Sequence, residues 1–559
     1  MRKFVNDPRA AAREMLEGLA DLSPGLALIA EHGILLRAAL PPPAARRVAV
    51  ISGGGSGHEP AHAGYVGPGL LTAAVAGDVF TSPSVDQVLA AIRATAGPAG
   101  ALLVVKNYTG DVLNFGLAAE LARAEGIPVE SVIIGDDVAL RELVEPDRRR
   151  GIAGTVLVHK VAGAAAEAGL PLAAVAAEAR AAAAAVRSMG MALGPCTVPA
   201  AGRPGFELPD DMMELGLGIH GEAGLRRVPR AAADAAVAAL LEAILADHAL
   251  PPGGRVALLV NGLGGTPPME LAILARAALA GLRGAGLVVE RAWCGAFLTA
   301  IEMPGFSLSV MALDAARLTR LDATAAAPAW PGGGLLPAAR QIAADPSPPP
   351  APPSGAADPD LRAAALAVAE ALDAAEAELT ALDAAGGDGD LGLSLARGAA
   401  AMRALPEGAF ADAPTALAAI AGALRRAIAG SSGPFYAAAL VRAARHLPAR
   451  PTPAEWAAAF EAGIAALAAL GGARPGDRTM LDALQPAAEA LSAALRQGSG
   501  ARDALDRAAE AAEAGAQATA AMHPRRGRAS YLGARALGTP DAGAVAVAVW
   551  LRGLARSLT

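Results

Sequence analysis

Between Ala344 and Asp360 the chain reads ADPSPPPAPPSGAADPD. Proline fixes φ and lacks an amide proton, so a run this rich in it suits neither a helix interior nor a sheet. The stretch is read as a semi-rigid linker, with a reach of about 50 Å if extended at roughly 3.1 Å per residue. On its N-terminal side short β-rich runs alternate with helical stretches: RVAVI (47–51), ALLVV (101–105), SVIIG (131–135), TVLVH (155–159) and RVALLV (255–260). That rhythm predicts an α/β region with buried strands. On its C-terminal side Ala, Leu and Glu/Arg recur at helical spacing, with almost no β-branched run before AVAVAV (544–549), which predicts an all-helical region.

The expected organisation is therefore multidomain. An α/β domain spans 1–336, in two subdomains of 1–190 and 191–336, with the turn-rich CTVPAAGRPGFELPDD (196–211) as the candidate boundary. The linker occupies 337–360 and the helical domain 361–559. A length of 559 residues also predicts about three or four folding units.

Composition narrows the function classes. Hydrophobic residues make up 54%, but much of this is alanine, which favours helix without implying a membrane. No stretch of about 18 strongly apolar residues is expected, and MRKFVNDPRA carries no signal-peptide core, so the reading is a cytoplasmic protein with no membrane association. A net charge of −7 with 3% aromatics argues against a nucleic-acid partner. Two cysteines, Cys196 and Cys294, do not make a disulfide framework or a cysteine metal cluster. Lysine occurs only at Lys3, Lys106 and Lys160, which singles out Lys106 at the end of an apolar run.

The densest charge lies in LDAAGGDGDLGLS (382–394), where Asp383, Asp388 and Asp390 stand among glycines. Carboxylates this close repel unless a cation sits between them, and Mg2+ is typically held by a few carboxylates together with substrate phosphates. An EF-hand counted from Asp383 would need Glu where Ser394 stands, so that calcium loop is excluded. A solvated turn with helix-capping Asp residues is the alternative. Further along, GSSGPFY puts Ser431, Ser432 and Gly433 before a helix, where free amides favour phosphate. GDRTMLDAL puts Thr479 and Met480 at another helix start, and RRGRASYLG supplies Arg528 as a phosphate contact. Together these describe a nucleotide and Mg2+ site built on helix termini.

In the first region RVAVI runs into SGGGSGHEP, a glycine-rich turn over Gly53–Gly57 ending at His58. Such a loop offers backbone amides to a polar ligand or simply connects a strand to a helix. It lacks the dinucleotide fingerprint, and no Gly-Lys pair exists for a Walker A loop. ALLVV ends in KNYTGDVLNFG, placing Lys106 and Asp111 at a strand end, where they either bind ligand or pair with each other. His220 lies in GLGIHGE, between Gly218 and Gly221. A lone histidine is often structural, yet an imidazole nitrogen also adds to a carbonyl carbon.

In combination these segments are recognisable. ISGGGSGHEP, KNYTGD, PCTVPAAGRP, GIHGE and NGLGGTP resemble the substrate-binding part of the dihydroxyacetone kinase family. LDAAGGDGDLG, GSSGPFY, GDRTMLDAL and GRASYLG resemble its nucleotide-binding domain, an all-α helical barrel. The resemblance implies phosphorylation of dihydroxyacetone by ATP, with the ketone held as a hemiaminal on His220. It implies substrate contacts from Gly55, Ser56, Gly57, His58, Lys106 and Asp111, with Asp111 and His58 as acid/base residues. Asp383, Asp388 and Asp390 would hold Mg2+; Gly392, Ser394, Ser431, Ser432, Gly471, Met480, Arg528 and Asp541 would line ATP. Fusion in one chain points to free ATP as donor, and a homodimer is the family's usual assembly. Departures are Leu391 and Leu393 after the acidic triplet and Ala542 after Asp541, which bear on nucleotide affinity. Other acceptors consistent with the same residues are glyceraldehyde and erythrulose; a ketone-sensing regulator without catalysis is the reading from another class. A side activity splitting FAD is known for some relatives.

Overall fold

The computed structural model describes residues 3–222, 224–344, 353–428, 430, 432–531 and 533–558, with the side chain of Arg528 left out. It divides into two compact units, Met1–Ile342 and Ala343–Thr559. Most of the proline run, 345–352, lies outside the described residues, as does Ser431.

The first unit carries two six-stranded sheets. The first contains β1 (Leu26–Ile29), β2 (Ile34–Arg37), β3 (Ala49–Ser56), β4 (Ala73–Val79), β5 (Ala101–Lys106) and β6 (Val129–Ile134), in the order β1-β2-β4-β3-β5-β6. Its strands β4, β3, β5 and β6 run parallel, while β1 and β2 form an antiparallel margin. The second contains β7 (Val186–Ala192), β8 (Met212–Leu215), β9 (Arg226–Pro229), β10 (Arg255–Gly262), β11 (Val288–Gly295) and β12 (Gly305–Ala312), in the order β11-β10-β12-β7-β8-β9. The division expected at 190/191 therefore falls inside β7, and the turn-rich segment from Cys196 joins β7 to β8 of one sheet.

Buried residues of both sheets, among them Val50, Val104, Leu259 and Met311, share one core with the helices Thr155–Glu167 and Leu172–Ala185. Helices Val85–Thr95 and Thr109–Ala124 cover the other face of the first sheet, and Ala233–His248 and Pro268–Gly284 that of the second. TVLVH, read as a strand, instead opens the helix Thr155–Glu167, in which every residue from Thr155 to Ala166 is buried. A helix enclosed on all sides has no polar face, so its apolar run carries no 3.6-residue signature and looks like a buried strand. A second difference concerns the glycines: β3 continues through Gly53, Gly54 and Gly55 to Ser56, so they are strand residues and not a turn.

The second unit is all helical. Pro359–Ala374, Leu391–Arg403, Ala413–Ala427, Ser432–Ala444, Pro453–Gly471, Leu481–Arg496, Ala501–Ala518 and Ala542–Ser557 each pack on the next. The last returns to pack on the first, closing a ring around an alanine- and leucine-rich core. Among the described residues one helix, Pro453–Gly471, is by length and composition apolar enough to cross a membrane, where the sequence reading expects no such stretch. Its apolarity is largely alanine, and it packs between Ser432–Ala444 and Leu481–Arg496.

Candidate active site

In the first unit β3 and β5 end side by side, bringing Ser56, Gly57 and His58 next to Lys106 and the helix that carries Asp111. His58 is fully buried. Its Nδ1 lies 2.8 Å from the carbonyl of Thr299, so Nδ1–H donates there and Nε2 carries the lone pair. Among the described residues that Nε2 is buried without a hydrogen-bond partner. Burial and the neighbouring Lys106 and His220 hold this imidazole well below its ordinary pKa, keeping it neutral.

His220 arrives from the second sheet's side of the unit. Its ring meets His58 edge-on at 4.9 Å between centroids, Tyr108 at 4.5 Å and Phe80 at 5.3 Å. Desolvation lowers its pKa and favours the neutral imidazole, against the opposing pull of Glu222. Glu222 accepts the His220 backbone amide at 2.8 Å. Gly218 leaves room for that carboxylate, since a Cβ there would lie 1.5 Å from Glu222 Oε1. Gly218 thus seats Glu222 near His220, whereas Gly221, at φ +78°, lies against Cys196 Sγ.

Lys106 is buried at the end of β5, and burial lowers its pKa while Asp111 raises it. The two do not simply pair. Lys106 Nζ bonds His62 Nε2 at 2.7 Å and the Gly53 carbonyl at 3.4 Å, whereas Asp111 Oδ1 takes the hydroxyl of Ser82. Gly54, at φ +152°, passes so close that a Cβ would lie 2.5 Å from Lys106 Nζ. Gly55 packs against the backbone of Phe80 and Thr81.

In the second unit the carboxylates of Asp383, Asp388 and Asp390 offer oxygens within 4.8 Å of one another. Asp383 Oδ2 also accepts the amides of Asp390 at 2.9 Å and Leu391 at 3.2 Å, tying the acidic loop to the start of Leu391–Arg403. A hard divalent cation fits this donor set, which is all oxygen and partly exposed. The cluster lines a cleft of about 550 Å3, within the size range of small-molecule sites. Four helix starts border the same cleft: Leu391, Ser432, Leu481 and Ala542. Helix N-termini present free amides and a positive dipole end, so their convergence favours a polyphosphate.

Of the residues expected at the nucleotide, Ser394, Ser432, Gly471, Met480 and Asp541 line this cleft with Asp383, Asp388 and Asp390. Asp541 caps Ala542–Ser557 through the Ala544 amide at 2.9 Å, and burial pushes its pKa up to about 6. Gly392 has a different neighbour, because a Cβ there would lie 2.2 Å from the Glu376 carbonyl of the adjacent helix. Arg478, within GDRTMLDAL, is a cleft residue that the sequence reading does not single out. It is buried, lines the cleft and donates to the carbonyls of Thr519, Ala536 and Thr539. Phe80, Ser82, Tyr108, Glu222 and Thr299 also border the histidine pocket without being singled out by the sequence reading. Of these, Tyr108 lies inside KNYTGD and Glu222 inside GIHGE; the other three fall outside every singled-out segment.

An α/β unit with a buried histidine pocket and a helical unit with an acidic, phosphate-suited cleft together define a small-molecule phosphotransferase. Residues 17–329 match the Dak1 domain and residues 385–556 the DAK2 domain. The chain belongs to the dihydroxyacetone kinase family, in its single-chain form. It is 44% identical over 569 residues to the triokinase/FMN cyclase of Homo sapiens, covering 99% of this chain and 98% of the relative. Identity to the D-erythrulose kinase of Mycolicibacterium smegmatis is 39% over 583 residues, covering 100% and 99%. The crystal structure of the dihydroxyacetone kinase from C. freundii in complex with AMP-PNP and Mg2+ matches with a TM-score of 0.64 at 37% identity, covering 100% and 99%.

Proposed function

We propose that this protein transfers the γ-phosphoryl group of ATP to a hydroxyl of dihydroxyacetone, held on His220 through its carbonyl carbon. The observation that carries the reading is the buried, unpartnered Nε2 of His58 beside the His220 ring. A buried lone pair without a donor is costly unless a ligand supplies one, and an acceptor hydroxyl does so. His58 then removes the hydroxyl proton as general base, while Thr299 fixes its tautomer. Asp111 is the second acid/base candidate, and Lys106 with the backbone at Gly55, Ser56 and Gly57 holds the hydroxyls. A neutral His220 adds its ring nitrogen to the carbonyl, giving a hemiaminal that orients the small acceptor before transfer. Glycerol lacks a carbonyl and is excluded.

In the helical unit Asp383, Asp388 and Asp390 hold Mg2+, which neutralises charge on the ATP phosphates. Ser394, Ser432, Gly471, Met480 and Asp541 border the nucleotide, together with Ser431 and Arg528 by their place in the motifs; Gly392 supports the cleft from the neighbouring helix contact. The Mg2+ and AMP-PNP in the C. freundii structure support this assignment. The domain roles follow: acceptor on 1–336, nucleotide on 361–559. The proposal extends to a cytoplasmic homodimer. Free Cys196 and Cys294 are in keeping with a reducing compartment. An exposed stripe of Leu113, Leu117 and Leu121 offers apolar surface to a second copy.

The name of the M. smegmatis relative favours erythrulose as a second acceptor. ADP release with Mg2+ and ATP, measured against dihydroxyacetone, glyceraldehyde, both erythrulose enantiomers, glycerol and no acceptor, tests both readings. Highest kcat/KM for dihydroxyacetone supports the first, and highest for erythrulose the second. No acceptor-dependent ADP from any carbonyl compound would sink both and leave a ketone-sensing role. FAD in a parallel assay tests the cyclising activity in the human relative's name.

A further inference from the structure

His62 stands four residues after His58, fully inside the first unit, and no step above uses it. We propose that His62, backed by Ser52 and His159, is a positioning residue that holds the Lys106 ammonium in the acceptor pocket by accepting one of its hydrogen bonds. The proposal rests on the reading that Lys106 contacts the acceptor.

The geometry fixes each proton in turn. An ammonium only donates, so at 2.7 Å His62 Nε2 must be the acceptor. His62 is then neutral, with its proton on Nδ1, which points at Ser52 Oγ at 3.4 Å. Ser52 spends its own hydroxyl proton on the Val104 carbonyl at 2.7 Å, so its oxygen is left to accept. It accepts from His62 Nδ1–H and also from His159 Nε2–H at 3.1 Å. The His159 Nδ1 is accordingly a lone pair, buried without a partner among the described residues. Ser52, His62, Lys106 and His159 are all buried, so water does not substitute for a lost member.

The charged and titratable groups facing Lys106 are Asp111, which favours the ammonium, and the imidazoles of His58, His62, His159 and His220. Burial and the Lys106 charge both disfavour a second proton on His62, consistent with its acceptor role. An arrangement whose tautomers are set from one end keeps the cation aimed past Gly54 into the pocket. Removing the His62 acceptor would leave one buried N–H unmet and favour the neutral amine.

The test compares His62→Leu, which has no acceptor, with His62→Gln, whose amide oxygen reaches about where Nε2 lies. His62→Leu is expected to raise the acceptor KM at least about tenfold, the size of one lost buried hydrogen bond to a charged group. It should also move the alkaline limb of acceptor kcat/KM to lower pH while leaving the KM for ATP unchanged. His62→Gln should restore both. Independently of activity, 15N spectra of histidine-labelled wild-type protein, with the His62 signal identified from its loss in the Gln variant, should show the Nδ1–H tautomer. An Nε2–H or charged His62, or a Leu variant with the wild-type pH profile and KM, would overturn the proposal. If the wild type phosphorylates no carbonyl acceptor, the functional reading fails and the spectra still decide the tautomer.

Discussion

His58 and His220, 162 positions apart in the chain, place their rings edge to face with centroids 4.9 Å apart and an interplanar angle of 64°. The two imidazoles have separate tasks because their surroundings differ. His58 is locked by the Thr299 carbonyl with one nitrogen left open, while His220 is only partly buried and has Glu222 beside it.

His58→Asn retains an amide donor for Thr299 and removes the base. Acceptor-dependent kcat should fall by about 10²–10⁴-fold, the usual worth of a positioned general base. ATP binding, followed by calorimetry in the same variant, should be unchanged.

Gly54→Ala introduces a Cβ 2.5 Å from Lys106 Nζ at a backbone angle of +152°. The expected outcome is loss of acceptor use through a displaced ammonium, with far-UV circular dichroism like that of the wild type. Steady-state kinetics with varied ketone would show it as a raised KM.

Asp388→Asn removes one charge from three carboxylates whose oxygens lie within 4.8 Å. Mg2+ affinity should weaken by on the order of 10–100-fold, comparable with other losses at metal sites. A Mg2+ titration of ADP release measures this, and ketone binding to the first unit should persist.

Burial holds the pKa of His159 down at about 3, against 6.5 in the ordinary state. The unfolded chain therefore takes up a proton between 6.5 and 3 that the folded chain refuses, and stability falls as pH falls through that window. His159→Phe should flatten the acid limb by about 1.4 kcal/mol per pH unit. Asp137, raised to about 6, acts in the opposite direction but is common to both proteins. Urea unfolding of wild type and variant at a series of pH values gives the difference in slope.

Gly392→Ala drives a methyl to 2.2 Å from the Glu376 carbonyl. The adjacent helices must part, at a cost of about 1–3 kcal/mol. Differential scanning calorimetry should show a lowered transition for the helical unit.

Much was written locally in the chain. The proline run marks the change from α/β to all-helical structure, because proline chemistry needs no tertiary context to exclude helix and sheet. The three aspartates of the acidic loop lie within eight residues, so their mutual repulsion is legible from spacing alone. The motifs around His58, Lys106 and His220 identified the family for the same reason. Other features depended on distant partners. TVLVH looks like a strand because the helix it opens is buried against both sheets and has no polar face, and Thr299 reaches His58 across 241 positions. Arg478 and Gly392 drew their roles from contacts with other helices. Local sequence determined which chemical groups this protein possesses. Only the tertiary structure decided which lone pairs remain open, since a hydrogen bond between remote segments leaves no mark on the spacing of either.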